Sequence, residues 1–232
     1  RFFPMTLGLA SGASDTVRIQ WWVILWSLSI LSMIFGNLMA LSQTNLKRLL
    51  AYSGIAQAGY LLSAVFVGTA TAKVSLFFYL LVYLCMNLGA FAVVAALEEL
   101  GEATDLPSLA GLSMRQPYLA AALAVCLFSL TGLPPTAGFV AKYQLFSSLM
   151  ASPGGPLPKY LVAAALVGSL LSAGYYLRFV VQAYSLGPAP EPQKHLPGTF
   201  WAVIGACVAG IFGLSWWAGP VLEWMQGLIG TV

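Results

Sequence analysis

Apolar residues fall along this chain in long blocks, with polar positions lying between the blocks or at helical spacing inside them. A bilayer core of about 30 Å needs about 20 helical residues to cross. By that measure six spans are predicted, over about 18–42, 46–68, 73–98, 117–152, 159–184 and 199–227. The third opens at Lys73 and closes on Glu98 and Glu99, and the polar stretches GEATDLPSLAGLSMRQP and SLGPAPEPQKHLPG separate later blocks. The fourth block is anomalous: a straight helix over 117–152 would be about 54 Å long, too long for one crossing. Pro134 and Pro135 each remove a backbone donor and clash with the preceding turn, so a break is predicted within TGLPPTAG. Backbone groups freed inside a membrane must be satisfied by protein or water, which predicts a polar interior at the break. The fold class is all-α integral membrane: one membrane domain over 1–232 of about six transmembrane helices, the fourth broken at Pro134-Pro135.

Composition agrees, because 59% of the 232 residues are hydrophobic and 7% charged, against about 25% charged in soluble domains. The net charge of +3 comes from scattered residues without a basic run, which argues against nucleic acid and leaves lipid as the surroundings. The face with the 42–48 turn, the 98–116 link and the 184–198 loop carries Lys47, Arg48, Arg115, Arg178 and Lys194, against Arg1, Arg18, Lys73 and Lys159 opposite. That margin of one turns the first face toward the cytoplasm. Tryptophans at 21, 22, 26, 201, 216, 217 and 224 fall mostly near span ends, as in an interfacial belt. Cys85, Cys126 and Cys207 sit on separate apolar segments and read as packing residues, and His195 lies in a proline-rich loop. Neither a ligand cluster, a phosphate loop nor a nucleophile paired with histidine occurs, so no cofactor, metal or soluble catalytic site is predicted here. The opening RFFPMTLGLASG lacks an initiator Met and a signal peptide and reads as the tail of an earlier helix, so the chain is expected to be the C-terminal part of a longer polypeptide.

Candidate chemistry centres on Lys142. It falls near mid-membrane, where a lysine costs about 2.5–3.5 kcal/mol on insertion scales, so it needs compensation or a purpose. One reading is a packing lysine satisfied by carbonyls freed at the break; the favoured one is a proton carrier, since intramembrane ionisable groups usually line ion or proton paths. A small change of surroundings can load or unload a lysine, whereas an arginine stays charged. Polar stripes provide candidate partners: Ser53, Gln57 and Tyr60; Tyr79, Tyr83 and Asn87; Ser169, Ser172 and Tyr176. Any one stripe alone is interhelical glue, but their coincidence with Lys142 makes Gln57, Tyr60, Tyr83 and Asn87 candidate linings of a water wire. Lys47 and Arg48 sit at a membrane edge, where snorkelling is the default, with Lys47 also a candidate relay feeding protons inward. Arg178 is read as snorkelling or pairing across helices. Glu98, Glu99, Glu102 and Asp105 are solvated loop charges or, more sharply, a proton-collecting cluster.

Two stretches, GNLMALSQTNLKRLLAYSGIAQAGYLL (36–62) and SLTGLPPTAGFVAKYQLF (129–146), resemble the antiporter-like subunits of respiratory complex I, the proton-translocating NADH-quinone oxidoreductase; NLGAFAVV (87–94) and YYLRFVVQAY (175–184) extend the likeness. The resemblance implies the second inverted five-helix repeat of such a subunit plus its last helix. Lys142 then corresponds to the lysine of the second broken helix, in the half-channel to the outer face, and Lys47 to a lysine that opens a helix without an assigned catalytic role. Gln57 departs from the histidine of many members; it cannot titrate and can at most orient water. The family's other charged groups would lie upstream of Arg1, so this piece would hold half of a proton path. The resemblance further implies a bacterial inner membrane location and neighbouring antiporter-like and other membrane subunits as partners. FMN, iron-sulfur clusters, NADH and quinone would serve the whole complex, none of them held by this chain. Two rivals share the motif or dispense with it: a subunit of a multisubunit sodium/proton antiporter or membrane-bound hydrogenase, and a scaffold in which Lys142 is structural.

Overall fold

The structure is a computed structural model that describes residues 15–152, 155–187 and 196–230, with side chains described between 21 and 229. The expectations for Arg1, Lys194, His195 and the side chain of Arg18 fall outside the described residues. In chain order the helices are α1 (Asp15–Leu41), α2 (Leu46–Val67), α3 (Ala70–Glu99), α4 (Leu112–Arg115), α5 (Pro117–Thr131), α6 (Ala137–Met150), α7 (Leu157–Ala183), α8 (Gly198–Trp216) and α9 (Ala218–Gly230). Local chemistry sets these ends. The Asn45 side chain accepts from the Arg48 N–H to start α2, and Gly68, at φ 63°, ends it. Thr69 caps α3 by accepting from the Ala72 N–H at 3.2 Å, which moves that helix start ahead of Lys73. Prolines stand at the entries of α5 and α7, where their missing N–H costs nothing.

Five described helices, α1 (from Trp21), α2, α3, α7 and α8, are long and apolar enough to cross a membrane. The predicted fourth crossing comes in two pieces, α5 of 15 and α6 of 14 residues, each about 20 Å long. The break falls where expected, with Gly132 at φ 88° and a cis Pro134-Pro135 peptide. Two features add to the sequence reading. The link over 98–116 carries a 3-10 turn, Pro107–Leu109, and α4, and this stretch meets α5 at 118°. The sixth span is interrupted at Trp217, at φ −99° and ψ 24°, so α9 is a separate element.

α3 is the central post, touching α2, α5, α6, α8 and α9, while α1 lies along α2 and α7. Its Phe78, Val82, Met86, Ala90 and Val93 are fully buried, whereas Leu84 and Leu88 are exposed, as befits a helix with one face to protein and one to lipid. The three cysteines are unpaired; Cys126 and Cys207 crowd Gly89, and Cys85 crowds Gly210, filling the seams around α3 and α8.

The charged residues hold one end of the bundle together. Lys47 pairs with Glu98 at 3.0 Å, both well exposed. Asn45 donates to Thr104 and Asp105. Arg115 grips Glu102 through Nε and Nη2 at 3.1 and 3.0 Å and also donates to the carbonyls of Ala110 and Ser108. Arg178 donates to the Gln43 carbonyl, the cross-helix alternative raised for it. Glu98, Glu102 and Asp105 therefore have separate partners, and Glu99 is exposed. The same contacts gather the 42–48 turn, the 98–116 link and the end of α7 on one face, the grouping used above for the charge count.

α5 and α6 cross closely because Gly138 lacks a side chain: a Cβ there would overlap the Ser129 carbonyl, while the Gly138 N–H donates to Ser129 Oγ at 3.2 Å. Gly138→Ala is expected to lower stability by about 1–3 kcal/mol, read as a lower melting temperature of the detergent-solubilised protein.

Candidate functional site

A helix end leaves its last carbonyls without intrahelical partners. At the end of α5, Gly132 turns into the left-handed region, and its N–H and that of Leu133 return to the carbonyls of Phe128 and Ser129. The carbonyls of Leu130 and Thr131 are served from another direction. Lys142, on α6, donates from Nζ to Leu130 O at 2.9 Å and Thr131 O at 2.8 Å, and reaches Ser169 Oγ on α7 at 3.2 Å. The lysine is 4% exposed, and the Tyr60 ring centroid lies 5.8 Å from Nζ. Among the described residues no carboxylate pairs with it. Its positive end is matched instead by the negative pole of a helix C-terminus and an aromatic face. Gly132 is required twice over: its φ favours glycine, and a Cβ would stand 2.9 Å from Lys142 Cδ.

From Tyr60 a polar seam continues across the bundle. The Tyr60 ring meets Tyr79 edge-on at 6.5 Å and Phe146 at 6.2 Å. The Tyr79 hydroxyl donates to Gln57 Oε1. On the other side, the Tyr60 hydroxyl and the Asn37 amide both approach Gly168, where a Cβ would sit 2.8 and 2.7 Å from them. Asn37 accepts from the Tyr175 hydroxyl at 3.0 Å and donates to Met33 O at 2.7 Å. The Tyr175 and Tyr176 rings pack at 4.6 Å. The hydroxyls of Tyr60 and Tyr176 are buried without a hydrogen-bond partner of good geometry. Helices α1, α2, α3, α6 and α7 thus converge on one seam.

The residues singled out in the sequence are distributed unevenly over it. Lys142 and Tyr60 are brought together, and Gln57 joins them through Tyr79. Tyr83 lies further along the α2–α3 contact, its hydroxyl 3.1 Å from where a Gly54 Cβ would be. Asn87 is half-buried with an unpartnered Oδ1. Lys47 is at the exposed start of α2 with Glu98, away from the seam. Ser53 bonds back to Leu50 O and Ser172 to Ser169 O, each within its own helix. Asn37 and Tyr175 were not anticipated. Asn37 did leave a signal, being the one amide in the apolar run 21–41. Tyr175 did not, because it neighbours Tyr176 in sequence and so falls off the stripe that Tyr176 defines.

Fold and site together define a polytopic α-helical membrane protein in which one discontinuous helix carries a buried lysine on the free carbonyls of its own first half. The chain belongs to the NADH:quinone oxidoreductase/Mrp antiporter transmembrane family, whose profile matches residues 6–172. It is 40% identical over 206 residues to NADH-quinone oxidoreductase subunit N of Geotalea uraniireducens, covering 88% of this chain and 43% of that protein. A chain of respiratory complex I from Thermus thermophilus is 36% identical with a TM-score of 0.69, covering 86% of this chain and 44% of that one. A chain of the Mrp complex from a Dietzia species shares the fold, with a TM-score of 0.79 and 20% identity over 90% of this chain and 47% of that one. The chain therefore spans less than half the length of these relatives.

Because Asn37 O and Tyr175 OH satisfy one another in a buried setting, Asn37→Leu should strand the hydroxyl and cost about 1–3 kcal/mol. Adding Tyr175→Phe should recover part of that loss. A double-mutant cycle of melting temperatures or denaturant midpoints should show a coupling of about 0.5 kcal/mol or more.

Proposed function

We propose that the chain forms part of a proton-translocating membrane subunit of an NADH-quinone oxidoreductase, of the subunit N kind, in a bacterial inner membrane, with Lys142 as its protonatable group. The observation that carries this reading is the coordination of Nζ by two main-chain carbonyls at a helix break, with no carboxylate paired to it among the described residues. A carboxylate partner would hold the lysine charged. Carbonyls favour the charge less strongly than an anion would, and they accept an N–H from an ammonium and from an amine alike. The group can lose and regain a proton while its two anchors persist, and this separates a carrier from a fixed charge.

Moving one proton against 100 mV costs about 2.3 kcal/mol, which a change of under about two pKa units at the carrier would match. The energy would come from redox chemistry elsewhere in the assembly, where FMN, iron-sulfur clusters, NADH and quinone act, and reach this chain through neighbouring membrane subunits. Gln57 and Tyr79 would orient water beyond Tyr60, with Tyr83 and Asn87 lining the continuation along α2 and α3, and Lys47 with Glu98 would exchange protons at the rim. The likeness to proteins named subunit N supports this assignment over a sodium/proton antiporter or hydrogenase subunit that shares the lysine motif.

Two variants separate a carrier from a scaffold when made in the complete complex and studied in inverted membrane vesicles, with NADH oxidation followed alongside proton uptake. Lys142→Met should slow translocation through this path by at least about tenfold. Lys142→Arg, which keeps the charge but cannot release it, should do the same. Undiminished proton uptake by assembled Lys142→Met, or full function with arginine, would establish the scaffold reading instead.

A further inference from the structure

The three oxygens around Lys142 Nζ are not chemically equivalent. Leu130 O and Thr131 O, at 2.9 and 2.8 Å, are carbonyls that accept hydrogen bonds and never donate them. Ser169 Oγ, at 3.2 Å, is a hydroxyl and does both. An ammonium has three N–H bonds to place, and three oxygens receive them. An amine has two N–H bonds and a lone pair. The carbonyls keep the two N–H bonds, and the lone pair is left toward the hydroxyl, which can turn its hydrogen to meet it. The set of partners therefore satisfies both protonation states with a single hydroxyl rotation, and Ser169 is the partner that changes role.

The surroundings of Ser169 point the same way. Leu130, Thr131 and Lys142 are buried, whereas Ser169 is half-buried. Of the three contacts of Nζ it is the least enclosed, next to Leu166, Val167 and Leu170, which the described helices leave exposed. While Oγ accepts from the lysine, its own hydrogen has a long contact of 3.4 Å to Thr131 O, so it is weakly held and available to a further acceptor. The backbone beneath it is fixed, since Ser172 Oγ donates to Ser169 O at 2.6 Å.

We propose that Ser169 is the relay through which Lys142 exchanges its proton with a water admitted to the free side of the Ser169 hydroxyl. This rests on the reading of Lys142 as a carrier. In the unloading step an N–H bond of the ammonium breaks as Ser169 Oγ takes that hydrogen. The hydrogen already on Oγ passes to the water, which becomes hydronium. The serine ends as a neutral hydroxyl, the lysine as a neutral amine, and one positive charge has moved outward. Loading is the reverse, and no redox partner is needed.

The test uses the complete complex in inverted vesicles, comparing Ser169→Ala, Ser169→Thr and Ser169→Cys with Lys142→Met, and reading protons translocated per NADH oxidised. Ser169→Ala should pump at least about tenfold more slowly through this path with electron transfer and assembly retained, and Ser169→Thr, which restores the hydroxyl, should return to within about twofold of the parent. If alanine impairs assembly, Ser169→Cys keeps the volume but offers only a weak S–H donor, and it should show the same deficit in protons per electron. A serine needed merely for packing would lower the amount of assembled complex and leave protons per electron unchanged. Parent-like pumping by Ser169→Ala or assembled Ser169→Cys, with Lys142→Met impaired, overturns the relay and leaves the carrier standing. Parent-like pumping by Lys142→Met as well removes the carrier too.

Discussion

Two carbonyl groups at a helix end inside the membrane set the terms for the rest of this structure. In lipid an unsatisfied backbone group costs several kcal/mol, and the break between α5 and α6 creates such groups by necessity, because Gly132 and the prolines end the hydrogen-bond ladder. Lys142 supplies the missing donors from the second half of the same broken helix. The lysine in turn could not be retained there without them, since an isolated ammonium is unwelcome at that depth. Break and lysine are thus mutual requirements, and the glycines at 132 and 138 follow from both: one clears the lysine stem, and the other lets the half-helices approach.

Charge is partitioned accordingly. At one end of the bundle, where water competes, opposite charges pair directly, as in Lys47 with Glu98 and Arg115 with Glu102. The exposed pair is worth little in free energy. Arg115 and Glu102 are more enclosed, and with the Ala110 and Ser108 carbonyls that Arg115 also reaches they fold the 98–116 link on itself. In the interior the ammonium meets dipoles, a hydroxyl and a ring rather than an anion. The contrast separates a group fixed in one charge state from one whose surroundings tolerate two.

Much of this architecture can be read from the chain before any coordinates. The apolar block lengths locate the spans, and an overlong fourth block containing Pro134 and Pro135 forces the break, because those signals depend on local backbone chemistry and bilayer thickness. Lys142 stands out for the same reason: a single charge in an apolar run is visible without knowing its neighbours. What escaped depends on contacts between distant segments. Asn37 and Tyr175 lie 138 positions apart, so neither alone announces a pair. The acidic residues between 98 and 105 look like a cluster in sequence, yet their partners come from α2 and α4 and divide them. The interruption between α8 and α9 did have a local signal, Gly219-Pro220, because Pro220 has no N–H to return to the Trp216 carbonyl and its ring clashes there.

The seam beyond Tyr60 shows why a lysine and its glycines are not the whole device. Gly168 lets the Tyr60 hydroxyl and the Asn37 amide meet α7 where any larger residue would fill the space, and Ser169 is the next residue on that helix. One turn of α7 therefore presents a gap for the tyrosine that covers the ammonium and a hydroxyl for the ammonium itself. A displacement of α7 relative to α6 would change both contacts at once, because they share a backbone. The 3.2 Å hydroxyl contact would lengthen and the gap at Gly168 would shift under the Tyr60 hydroxyl, while the two carbonyl bonds, made within the broken helix, would persist. In such a geometry the lysine's affinity for a proton is coupled to helix position without its anchor being lost, which is what a conformationally driven carrier requires.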